Sequence, residues 1–95
     1  MTLQEFKQST NEEHPPHGLS TLLKALWYDA KGNWESAHNL AQDVHTTDGS
    51  WIHAYLHRKE GDIGNASYWY HRAKQPVSNK SLADEWEEIT TALLD

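Results

Sequence analysis

Displaced by 29 residues, the sequence lies over itself. Ala25 falls on Ala54, Gly32 on Gly61 and Ala37 on Ala66, while Asn33 meets Asp62, both residues that cap helices. Apolar residues meet apolar residues at Leu22/Trp51, Leu23/Ile52, Leu26/Tyr55, Trp27/Leu56, Trp34/Ile63, Leu40/Trp69, Ala41/Tyr70 and Val44/Ala73. A unit of helix, glycine, cap residue and second helix has been used twice. One such hairpin cannot bury its apolar face alone, and stacking a second one covers it. The repeat therefore restricts the chain to an all-α array of antiparallel helical hairpins.

The remaining punctuation fits that frame. Only five residues are Val or Ile, and no segment alternates apolar and polar, so strands are not expected. Thr2 and Glu5 make a capping-box pair for a short first helix, followed by a connector through Pro15-Pro16. Hairpin one is expected over 19–46, turning at Gly32, and hairpin two over 50–76, turning at Gly61. The segment 46–50 between them reads as a tight connection. Ser81 and Asp84 open a C-terminal helix over 81–94, whose Leu82, Trp86, Ile89 and Leu93 form one stripe that caps the hairpins. With residues 1–18 as an N-terminal helix or arm, the 95 residues make a single domain. Leu, Ile, Val and Phe supply only 16 residues, so nine alanines with five Trp and four Tyr must build the core.

These residues resemble the tetratricopeptide repeat family. The first unit offers Ala25, Tyr28, Gly32-Asn33-Trp34, Ala37 and Val44; the second offers Ala54, His57, Gly61-Asp62-Ile63, Ala66 and Ala73. The resemblance covers about 18–76, and the period of 29 falls short of the 34 usual in that family. His53 and His57 stand where the family usually places a packed Leu and Tyr. The stretch from His53 to Tyr70 also looks like a group of small uncharacterised bacterial proteins, a likeness that implies no activity. The tetratricopeptide resemblance implies a binding face on the inner side of the first helix of each unit: Leu22, Leu26 and Asp29, then Trp51, Tyr55 and Arg58. That side is apolar enough to need a cover, whether Leu3 and Phe6, a second copy of the chain, or a partner peptide.

Seven histidines are many for this length. His53, His57 and Glu60 share one face of the fourth helix at i, i+4 and i+7. Antiparallel pairing about residue 62 sets His71 opposite His53. Two histidines at helical spacing with a third, or a carboxylate, from the next helix suit Zn²⁺ or Ni²⁺. The competing account packs these rings in the hairpin seam on protein acceptors and needs no cofactor. His38 and His45 read as a solvated stripe, His14 and His17 as connector residues, and Trp69 as core filling. The expected function is a non-catalytic protein- or peptide-interaction module, with a His-dependent metal protein or enzyme as the alternative. Other classes are excluded. There is no Cys for disulfides, thiolate sites or thiol nucleophiles and no apolar run of membrane length, and the opening residues lead us to expect no secretory leader. The net charge of −6 opposes nucleic-acid binding. A cytoplasmic protein, alone or as a homodimer, is the expectation.

Overall fold

The computed structural model describes residues 1–94 as six helices: α1 (Leu3–Ser9), α2 (Thr21–Ala30), α3 (Trp34–Gln42), α4 (Thr47–Lys59), α5 (Ile63–Ala73) and α6 (Leu82–Leu93). No strand occurs among the described residues. The hairpins are α2–α3 and α4–α5, and α3 packs on α4 to stack one upon the other. Gly32 and Gly61 terminate α2 and α4 with φ of 82° and 90°, the left-handed conformation that ends helices without a Cβ clash. Asn33 and Asp62 follow as N-caps, each accepting a hydrogen bond from the amide three residues on. The Thr2–Glu5 capping box of α1 forms as expected.

Two boundaries differ from the sequence reading. The stretch 46–50, expected as a connection, is the start of α4, capped by Thr46. In compensation α3 stops at Gln42 rather than running to residue 46. Gly49 looked like a turn glycine, but it lies in the first turn of α4, where the helix passes against the Val44 carbonyl.

Every residue from Gly49 to His57 is buried, so α4 is the central rod of the molecule. A helix that is buried all round must be surrounded, and α3, α5, α2 and α6 do this. The small residues set the spacing. Ala25, Ala37, Ala54 and Ala66 are buried at the repeat positions where the helices approach one another. Trp27, Tyr55, Tyr70 and Phe6 fill the volume that β-branched residues would occupy elsewhere.

The C-terminal helix caps the hairpins by lying against α2 and α4. Trp86 of α6 donates its indole N–H to the Leu26 carbonyl at 3.0 Å and packs at a tilt against Phe6 of α1, with 5.8 Å between ring centroids. Glu85 is fully buried and accepts from Arg58 Nη1 at 2.8 Å and from the Tyr70 hydroxyl at 2.5 Å. Arg58 also reaches the Lys80 carbonyl.

Candidate metal centre

The residues expected to form a binding face are occupied within the chain. Leu26, Asp29, Trp51 and Tyr55 are buried, and Leu22 and Arg58 are half-buried. Asp29 accepts from the Tyr55 hydroxyl at 2.8 Å and from Lys59 at 2.9 Å. Burial first, then the Asp29 carboxylate, push the Tyr55 hydroxyl above its ordinary pKa and keep it a proton donor. The cover that this side required is α6, helped by Phe6. A peptide bound there would have to displace α6.

The histidines assemble differently from the expected set. His53 and His57 do share a face of α4, as their spacing requires. The third ring is His38, from α3. His38 Nε2 and His53 Nε2 lie 2.9 Å apart, and each of the three residues offers a ligand nitrogen within 4.8 Å of the others. His71 is not among the converging rings and is exposed near the end of α5. Two residues on a helix turn the side chain by about 200°, so the ring opposite His53 is Trp69, 4.1 Å away between centroids. His38, read from sequence as part of a solvated stripe with His45, is half-buried in the α3–α4 seam. The stacking of the two units held the missed signal: His38 follows Ala37, the position at which α3 makes its close approach. His45 is exposed on the turn beyond α3, and the two do not form a stripe.

Glu60 completes the arrangement from one step further out. Its carboxylate oxygen lies 2.6 Å from His57 Nδ1, which leaves Nε2 of that ring for the cluster. Metal-binding histidines are commonly held in this way by a carboxylate on the other ring nitrogen. Glu60, a candidate ligand from sequence, also falls in a second group of possible ligands with His57 and Asp62, and towards the three histidines it acts through its contact with His57. The rings are clamped by aromatic neighbours. Trp34 stacks on His38 at 4.8 Å and 10°, and is itself pinned by a 2.8 Å bond from its indole N–H to the Leu56 carbonyl.

The electrostatics follow from this packing. His53 and His57 are each only 7% exposed. Burial, then the neighbouring His38 and His57, press the pKa of His53 down to about 4. His38 is lowered too, by burial and then by His57, against the opposing pull of Glu60. Both rings are therefore neutral near pH 7, the form in which imidazole binds a metal. Two neutral rings with facing Nε2 atoms must share one proton between them, unless a cation takes its place.

Chemically, three imidazoles can offer three nitrogens to one ion. Four-coordinate zinc at about 2.0–2.1 Å per nitrogen spaces its ligands by about 3.3 Å. The separations here, 2.9 Å between His38 and His53 and at most 4.8 Å within the group, are of that order. No protein-family model, curated protein or solved structure matches this chain.

Proposed function

We propose that this chain is a small metal-binding protein that holds one divalent transition ion, zinc or nickel, on His38, His53 and His57. The observation that carries the reading is the convergence of three histidines from two helices, with Glu60 fixing the Nδ1 side of His57. Clusters of like, proton-poor groups are costly to hold together in a core, and a metal ion offsets that cost. Imidazole nitrogen is a suitable ligand for both ions. An interaction role through the inner face would require α6 to leave it, so the metal reading takes precedence.

Untagged full-length chain, stripped on chelating resin, should bind ZnCl₂ or NiCl₂ with one-to-one stoichiometry in a calorimetric titration. His53→Ala and His57→Ala should each lower the affinity at least tenfold, and Glu60→Gln about tenfold through loss of the orienting contact. His71→Ala should leave the affinity unchanged. Bound metal should raise the melting temperature, and chelation should reverse the rise. A chain with no saturable uptake of either ion, or one in which His71→Ala does as much harm as His53→Ala, would sink the proposal.

A further inference from the structure

A cavity of about 410 Å³ lies beside the histidine cluster, between the α3–α4 turn, the first turn of α4 and the C-terminal end of α5. His53 and Trp69 line it. Its polar lining is one-sided in charge. The chain as a whole carries 14 acidic and 8 basic residues, yet among the described residues no carboxylate lines this cavity. Arg72, Lys74, His45 and His71 do.

Neither Arg72 nor Lys74 has a carboxylate partner among the described residues. The Arg72 guanidinium is instead held over the rings of Trp69 and Tyr68, at 5.5 and 5.8 Å, and bonds the Tyr68 hydroxyl at 3.3 Å. It is positioned but not neutralised. Lys74 sits at φ 59°, the only non-glycine residue with positive φ among the described residues. The other three positive-φ positions carry Gly18, Gly32 and Gly61. A lysine there costs about 1 kcal/mol relative to glycine, and Lys74 is one of the residues that line the cavity.

The floor also points to a ligand. Ser50 lines the cavity and is only 8% exposed. His53 lines it too, with its Nε2 directed at His38. The start of α4 adds the Thr47 amide, which has no backbone acceptor at a helix end that favours negative charge. Basic groups without carboxylate partners, a serine hydroxyl and a free helix-end amide around one cavity make the same demand.

We propose that this cavity is a binding site for a small oxyanion, a carboxylate or phosphate group. Arg72 and Lys74 supply the charge, Ser50 and the Thr47 amide donate hydrogen bonds, and the face of Trp69 accommodates an apolar portion of the ligand. A carboxylate or phosphate presents several acceptor oxygens, which suits donors converging from α4 and α5. The inference does not depend on the metal reading, because none of these groups except His53 belongs to the cluster.

The test is a ¹⁵N–¹H titration of the untagged full chain, freed of metal on chelating resin, with inorganic phosphate and separately with acetate. Sodium chloride at matched ionic strength is the control. The amides of 47–50 and 74 and the Trp69 indole should shift along saturable curves with at least one of the two anions, and the stronger one identifies the oxyanion class. Arg72→Gln should weaken binding five- to twentyfold. Lys74→Gly should weaken it severalfold while raising the melting temperature, since glycine takes the positive φ without strain; that combination separates lost binding from lost folding. Shifts that match the chloride control, or affinities unchanged in both variants, would overturn the assignment. Either result is independent of zinc uptake, so the two proposals fail separately.

Discussion

Gly49 shows how one residue can be read in two ways. Within Thr-Asp-Gly-Ser it has the composition of a turn, yet it is helical, and the reason lies outside its own segment. A Cβ at this position would run into the backbone carbonyl of Val44, which cannot swing aside as a side chain can. Gly49→Ala thus sets two effects against each other. Helix propensity favours alanine by about 1 kcal/mol, whereas overpacking against backbone costs about 1–3 kcal/mol. We expect a net loss of up to about 2 kcal/mol in urea melts; a gain would mean that the 44–49 turn follows another path. His38 carries a similar lesson for the candidate site. His53 and His57 were legible because their partnership is local, four residues along one helix. The third member depends on which helix lies opposite, and a spacing rule within hairpin two could only offer His71. The turn glycines Gly32 and Gly61 and the caps Asn33 and Asp62 act on their immediate neighbours, and these were legible.

Among the elements, α6 has the role that sequence left open between an internal cover and a foreign partner. Its apolar stripe was plain at Leu82, Trp86, Ile89 and Leu93, but a stripe does not say which face it seeks. Glu85 decides the docking. It looks like a solvated acid at a helix start, yet it is buried between Arg58 and Tyr70, and so locks α6 onto the second hairpin. Burial and then the Glu85 carboxylate raise the pKa of the Tyr70 hydroxyl, which stays a donor to that carboxylate. Glu85→Ala would leave Arg58 without its carboxylate and Tyr70 without its acceptor. Breaking one side of a buried pair costs about 3–5 kcal/mol, and a loss of that order should appear in thermal or urea melts. A variant within about 0.5 kcal/mol of the parent would show that α6 docks through its apolar stripe alone.

For the molecule as a whole, the histidine cluster makes stability depend on pH in a definite direction. In the unfolded chain His53 titrates near 6.5, whereas in the folded chain its pKa is about 4. Between those values the unfolded state binds more protons, so stability rises with pH across the window. The contribution is complete above about 6.5 and is lost as pH falls towards 4. At about 1.4 kcal/mol per unit it amounts to roughly 3 kcal/mol, and His38 shifts in the same direction. Urea midpoints of metal-free protein should therefore fall steadily from pH 7 to pH 4.5. A flat profile would place the His53 ring in water. Closure of the two ends has a kinetic consequence of its own. Within each hairpin the helices that pair are close in sequence, but Lys7 meets Glu87 across 80 residues at 2.9 Å, beside the Phe6–Trp86 contact. Loop-closure entropy opposes so distant a contact until the intervening chain is ordered. The hairpins should thus assemble first and α6 should dock after the rate-limiting barrier, so that Glu85→Ala accelerates unfolding and leaves the refolding rate nearly unchanged. The latch that holds the inner face shut is then the last contact made and the first released.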